Sequence, residues 1–600
     1  MRETSAYFAA YAPECVGEAV LKRRIYRKIE NMKLKFCALS VLLAVPAVRG
    51  EAKTYCNPLN LDYAYNPFTS AAAPDKHRST ADPVITLYKG DYYLFSSNQQ
   101  GYWWSPDMAD WTFVPRSFTK VLNPNKDDVC APAVMVYNGA LFVVGKAEGQ
   151  PLWSSTEPKA GVWSEFSSAY TPGDDPAFFV DDDGKVYRYS GSSNIYPIYG
   201  EELDRTTLEP VGARKPLLSL HGDIHGWERF GEHNDNTFLD PFVEGAWMNK
   251  RGGKYYLQYG APGTEFSGYA DGVYVGDSPL GPFAYQKHNP FSYKPGGFVR
   301  GAGHGATFQD KFGGWWHVAT NSIGVKYNFE RRISMWPAGF DKDGTLYADT
   351  AYGDYPHNLS DGSFTGWMLL NYGRPLRVSS TLGGHVPAYA ADEDIKTYWS
   401  AATGSAGEWI ESDLGSICDV RAVQLNYADQ DAELLGKQAG ISHKYRLYSS
   451  TDGSSWRLLA DKSGSVTDTP HAYLEFPAPV EARFIKLENV SVPTGKFALS
   501  GLRVFGKGRG KKPEKVGSFV ALRGAGERRN AWLRWRLSDD AVGYTIYAGS
   551  SPDKLYTSIT VYGRNEYYFS AMDKDQPYYF RIEAFNENGI GERSELVEAP

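Results

Sequence analysis

Short runs of apolar and aromatic residues, broken by glycine turns, recur along the middle of this chain. Five copies share one pattern: a strand-like apolar run, a Gly-containing turn, then an aromatic run. They read DPVITLYKGDYYLF from Asp82, APAVMVYNGALFVV from Ala131, DPAFFVDDDGKVYRY from Asp175, EGAWMNKRGGKYYLQY from Glu244 and HGATFQDKFGGWWHVA from His304. Alternation and turn signals dominate, and no long stretch here has the period of a helix. The turns are explicit at Gly90, Asn138-Gly139, Asp183-Gly184, Gly252-Gly253, Gly313-Gly314 and Asp343-Gly344. Successive copies begin 49, 44, 69 and 60 residues apart. That spacing suits four-stranded blades with insertions, so residues 53–355 are predicted to form a five-bladed β-propeller. The 69-residue interval contains a Gly-, His- and Asn-rich insertion around His221–Asp240, expected to be a loop near the mouth of a site.

The pattern changes after Gly353. Residues 370–507 carry short strands at sandwich spacing, among them EWIESDLG from Glu408 and RFIKLENV from Arg483. A basic, Gly-rich linker, Lys507 to Pro513, leads into residues 512–600, where GYTIY at Gly543 and YYFRIEAF at Tyr578 alternate as in a small sandwich. The predicted fold class is therefore all-β in three units, in keeping with a 600-residue length that exceeds one core.

The N-terminus reads differently. Met32-Lys-Leu-Lys-Phe opens a basic segment, Phe36 to Val45 is apolar, and Pro46-Ala47 begins a small-residue stretch. Residues 32–52 are thus expected to be a signal peptide, too short to span a membrane, and residues 1–31 an upstream start that is not native. Export to the periplasm or surface of a bacterium follows. The remaining cysteines, Cys56, Cys130 and Cys418, are too few and scattered for a disulfide framework or a zinc site. A net charge of −7, spread along the chain, argues against nucleic acid as a partner. Aromatic content of 15% suits either a strand-rich core or stacking on sugar rings.

The first residue of each copy carries the chemistry. It is Asp82, Ala131, Asp175, Glu244 and His304 in turn, followed by Pro or Gly. If the units ring an axis, three carboxylates and a histidine converge. Because Ala131 holds the same place, an acid is not an obligatory part of the unit. Two carboxyl groups in different protonation states are what glycoside hydrolysis requires, and like charges held close keep one of them protonated. Glu228, Glu232 and Glu265 read as surface loop residues, and Asp181, Asp182 and Asp183 as solvated turn residues.

Over about residues 55–350 these motifs resemble glycoside hydrolase family 43. The resemblance implies a five-bladed inverting exo-enzyme that removes arabinofuranosyl, xylosyl or galactofuranosyl-type residues. It implies Asp82 as general base, Asp175 as the orienting residue that tunes the acid, and Glu244 as general acid. His304 matches an axial histidine with a central metal or water site, calcium among the candidates, although His is an unusual calcium ligand. No cofactor is needed for the chemistry itself. Arg332 resembles a substrate-binding arginine, with Arg331 its rival because alternation turns only one inward. Trp103 and Trp104 are candidates for a stacking wall, or for core. The partner is an oligo- or polysaccharide.

Residues 370–507 resemble the discoidin (F5/8 type C) fold shared with carbohydrate-binding module family 32, and Trp399, Trp409 and Trp456 there read as core. Residues 512–600 resemble fibronectin type III and read as a spacer. Two other readings stand: a non-catalytic carbohydrate-binding protein, and a retaining fructosidase-like propeller. The latter is disfavoured because Ala81 precedes Asp82 and Gly245 follows Glu244.

Overall fold

The computed structural model describes residues 53–67, 69, 74–115, 129–146 and 150–600, and the expected signal peptide and upstream segment lie outside them. The described residues are β-structure throughout, with only three short 3-10 turns. Residues 84–348 form five antiparallel sheets, each built in chain order. The first strands of the sheets are Val84–Tyr88, Ala133–Tyr137, Ala177–Val180, Glu244–Arg251 and Arg300–Gln309. They touch one another in ring order, and the fifth closes onto the first. At the ends of this region Thr54–Tyr55 pairs with His357–Asn358.

The turn that starts each sheet is unusual. Asp82, Ala131, Asp175 and His304 all have left-handed backbone, with φ of 57°, 46°, 43° and 43°. For residues with a Cβ this costs about 1–2 kcal/mol each. Ala131 adopts the turn without any functional group, so the turn belongs to the repeat and the chemistry was placed upon it.

Pair registers then correct the sequence alignment of the fourth copy. In each sheet the first and second strands pair three residues after a common point: Val84 with Phe95, Ala133 with Val144, Ala177 with Tyr189, Trp247 with Gln258 and Ala306 with Val318. Counted back from these pairs, the equivalent of Asp82 in the fourth sheet is Gly245, which has the same left-handed φ of 65°. Glu244 is equivalent instead to Ala81, Cys130, Asp174 and Gly303. A Cβ on Gly245 would lie 2.8 Å from the His304 ring, so glycine is required by packing as well as by conformation.

The second unit packs Trp399, Ile410, Val423, Leu425, Leu487 and Val504 inside strands that include the long Trp409–Tyr427 and His471–Ser491. Trp399 is buried, whereas Trp409 and Trp456 are half-buried on either side of Lys486. The third unit pairs a three-stranded with a five-stranded sheet. Its residues Trp535, Ile546, Phe580 and Ile582 belong to the same apolar cluster as Tyr259, Leu257 and Trp227 of the ring. The expected spacer is therefore packed onto the ring. A shared apolar core of this kind holds the two units as one body.

Candidate active site

The left-handed turns carry their side chains to one spot. Asp82 Oδ1, Glu244 Oε2 and Asp175 Oδ2 lie 3.2, 3.8 and 4.0 Å from the Nδ1 atom of His304. These groups are buried among themselves but open onto a cavity of about 390 Å³, lined by Asp82, Asp175 and Glu244 with Cys130, Lys146, Asn194, Thr264, Glu265 and Arg331. Phe230, Phe242 and Phe329 supply its apolar wall.

Each carboxylate has a distinct support. The Ser97 hydroxyl donates to Asp82 Oδ2 at 2.5 Å and accepts the Ala131 N–H, while the Asp82 N–H donates to Thr320 Oγ1. Lys146 Nζ donates to Asp175 Oδ1 at 3.2 Å. The Tyr269 hydroxyl donates to Glu244 Oε1 at 2.5 Å. The His304 turn is itself held by Asp271, which accepts the Gly305 N–H and pairs with His317.

The electrostatics follow from burial and crowding. Burial alone would lower the His304 pKa; the carboxylates, Asp82 foremost, override it and push it up to about 10. Burial pushes Asp175 up to about 7, against the pull of His304 and Lys146. Burial would likewise raise Glu244, but the adjacent His304 imidazolium and the hydrogen bond from Tyr269 hold it down, to about 2. The resting cluster thus keeps a proton on His304 and, below neutral pH, one on Asp175 beside Glu244. Such a neighbouring donor–acceptor carboxyl pair can exchange a proton when a ligand changes the local charge.

Asp175, Glu244 and His304 also have the spacing of a three-ligand metal cluster. The set does not fit structural calcium. It offers one nitrogen and few oxygens where calcium takes 6–8 oxygens, and it would consume two carboxylates that face the cavity. A protonated imidazole accounts for the orientation of Nδ1 among the three acids.

Several predicted residues lie elsewhere. Trp103 is fully buried and donates to Asp62 Oδ1, so it is core. Trp104 packs beneath Lys159, whose Nζ sits 3.7 Å above its ring, and it does not line the cavity. Arg332 is buried with 2% exposure and turns toward the second unit, donating to His471 Nε2 and to the Arg78 carbonyl. Its neighbour Arg331 faces the cavity, donating to Thr264 and lying 3.9 Å from Asp82 Oδ1. Strand alternation separates the two, and only the docked second unit decides the sense.

The loop acids also depart from expectation. Glu228 is wholly buried, accepts from the Tyr259 hydroxyl and the His221 N–H, and is pushed by burial up to about 7. Glu232 is half-buried against Ser267. Glu265 lines the cavity. Asp181 is buried against Lys250 and Tyr255 rather than solvated.

Sequence reasoning missed Ser97, Lys146, Tyr269 and Thr320. Three of them had a legible signal. Ser97, Lys146 and Thr320 occupy one repeat position at the end of the second strand, paired opposite Ala81, Cys130 and Gly303. Applying the repeat logic to that position would have found them. Tyr269 comes from a long connection and had none.

Residues 73–346 match the family model Glycosyl hydrolases family 43, and residues 375–501 match the F5/8 type C domain. A Beta-xylosidase of Xylanibacter ruminicola is 32% identical over 176 residues, 25% of this chain and 48% of that protein. An Arabinoxylan arabinofuranohydrolase of Paenibacillus polymyxa is 26% identical over 319 residues, 43% of this chain and 48% of that protein. A Beta-D-galactofuranosidase of Aspergillus niger is 25% identical over 34% of this chain and 63% of that protein. The matched region spans about half the length of the first two relatives. Among solved structures, a thermostable family-43 glycoside hydrolase is matched at 21% identity over 49% of this chain and 95% of that one, with a TM-score of 0.38.

Proposed function

We propose that this chain is an exo-acting glycoside hydrolase of the family 43 type, working in a five-bladed propeller that carries a discoidin-like and a fibronectin type III-like unit. The observation that carries the reading is the convergence of Asp82, Asp175 and Glu244 around one histidine at the floor of a small cavity. The cavity lies at the lower end of the ~300–1,000 Å³ usual for ligand sites, which suits a terminal sugar rather than the middle of a polymer.

Asp82 takes a proton from the attacking water, held in orientation by Ser97. Glu244 protonates the leaving oxygen, using the proton it exchanges with Asp175, and Tyr269 fixes its carboxyl. Arg331, Lys146 and Glu265 present charged hydrogen-bonding groups to the sugar hydroxyls, and the three phenylalanines cover its apolar face. No cofactor enters. The relatives' names point to pentose or galactofuranose residues on plant or microbial glycans as substrate. Export, on the pattern of residues 32–52, belongs to the same reading.

The carboxyl oxygens of Asp82 and Glu244 lie within the combined span of their contacts to His304. That range includes both the ~5–5.5 Å of retaining pairs and the short end of the ~6.5–9.5 Å of inverting pairs. We assign inversion. The test is a panel of 4-nitrophenyl furanosides and pyranosides, with the anomer of the first product read by NMR. Turnover with inversion is expected on at least one pentoside or galactofuranoside. A first product of retained configuration would overturn inversion, and absence of turnover would overturn the enzymatic reading. Replacing Glu244→Gln should lower kcat about 10²–10⁴-fold on poor leaving groups and much less on activated aryl glycosides. Equal loss on both would remove Glu244 from the role of acid.

A further inference from the structure

The 219–243 insertion builds a second concavity beside the catalytic one. It has a volume of about 440 Å³ and is lined by Ile195, Tyr196, Asp223, Asn236 and Leu239 of the ring together with Arg529 of the third unit. Asn194 lines both spaces. A two-way backbone bridge between Ser193 and Val243 forms the partition. On one side of it Ser192, Asn194 and Phe242 face the catalytic cavity; on the other Ser193, Ile195 and Val243 face the groove. Alternation along two short extended segments thus makes one wall serve two sites, with Asn194 at the joint.

The insertion is not a free loop. His225 pairs with Asp573 at 2.8 Å, the Gly226 N–H donates to the Met572 carbonyl, and Arg229 donates to Asn530 Oδ1 and the Ser570 carbonyl. Arg529 donates back to the Gly222 carbonyl while paired with Glu527. The groove therefore exists in this shape because the third unit clamps its outer bank. In this otherwise fixed structure, large apolar side chains stay exposed: Ile195 at 71%, Tyr196 at 62% and Leu239 at 57%. Exposed aromatic and aliphatic faces interleaved with Asp, Asn and Arg are the chemistry that recognises a sugar chain. Apolar ring faces stack, and hydroxyls find charged partners.

We infer that this groove binds the leaving-group portion of the substrate, a short oligosaccharide chain whose terminal residue occupies the catalytic cavity, and that the third unit is part of that binding site. The inference rests on the glycosidase reading for the identity of the occupant. Asn194, common to both linings, commits it to that occupant, because a chain that leaves the cavity over this residue meets the groove next.

The test compares the double variant Tyr196→Ala/Asp223→Ala with the parent on two substrates sharing one terminal sugar: an aryl glycoside, and an arabinoxylan-derived oligosaccharide. The ratio of kcat/KM on the oligosaccharide to that on the aryl glycoside should fall about tenfold, as expected for loss of one stacking and one polar contact. A ratio within about twofold of the parent overturns the proposal. A second arm does not need turnover. In a Glu244→Gln background, calorimetry with the same oligosaccharide should show weaker binding when Tyr196 and Asp223 are removed. Equal affinity with and without them, or no binding at all, overturns the groove. Failure of the glycosidase reading appears separately, as a parent protein that hydrolyses neither substrate. Unchanged thermal unfolding of the double variant shows that the exposed positions leave the fold intact.

Discussion

Two buried ionic clusters in this molecule have nearly the same ingredients and opposite purposes. Between the ring and the second unit, Arg503 makes a two-pronged pair with Glu393, both bonds at 2.8 Å, and also donates to the Asp354 carbonyl and to Gln424 Oε1. Asp354 accepts the Phe298 N–H and pairs with Lys294. Charges balance, and each member is anchored from several sides. At the ring centre, three carboxylates face one imidazole whose Nδ1 makes no well-directed hydrogen bond, and the cluster opens onto a cavity. A charge-balanced cluster fixes an interface. A cluster with surplus like charge holds protons at unusual pKa values and can move them.

The sharpest way to break this contrast is a pair of substitutions. Glu393→Ala leaves Arg503 buried without its main partner and should cost about 3–5 kcal/mol in denaturant unfolding, with little change in kcat per folded molecule. Asp82→Asn should do the reverse, lowering kcat/KM by about 10²–10⁴-fold while moving the unfolding midpoint far less. If Asp82→Asn destabilised as strongly as Glu393→Ala, the central cluster would be structural after all.

A smaller effect sharpens the electrostatics. Asp175 is raised from its ordinary 3.8 to about 7, so the folded state binds its proton more tightly than the unfolded chain does. Its contribution is fully favourable below pH 3.8 and is lost as pH rises through about 7. Asp175→Asn removes that dependence. The unfolding temperature of the variant, relative to the parent, should therefore rise between pH 4 and pH 8. A flat difference across that window would mean that Asp175 is ionised throughout. His304, raised from 6.5 to about 10, contributes in the same direction and begins to lose its share above pH 6.5, so the part of the rise between pH 4 and pH 6.5 reports Asp175 alone.

The smallest expected effect concerns Trp104. It packs against the Lys159 ammonium outside the cavity, so Trp104→Ala should leave kcat/KM within about twofold. A larger loss would mean that the sugar reaches further along the first sheet than the cavity does.

Much of the architecture was legible before any coordinates. Strand period, glycine turns and the repeat are local signals, and they located five sheets and the three acids at their heads. The repeat also carries Ser97, Lys146 and Thr320 at one shared position, opposite Ala81, Cys130 and Gly303. Other features had no local signal. The one-residue offset of Glu244 appears only in the pairing register of the fourth sheet. The choice between Arg331 and Arg332 depends on His471, far away in the chain. Trp103 and Trp104 are adjacent aromatics that no periodicity could separate into core and rim.

What the sequence determined by itself is therefore the repeating turn and the kinds of chemical group set upon it, because backbone preference and side-chain alternation act over a few residues. Tertiary structure decided which way those groups point, which protons they keep, and that the insertion and the third unit shape one groove. Those outcomes follow from burial and from contacts between residues hundreds of positions apart, where small differences in packing select between alternatives that are locally equivalent.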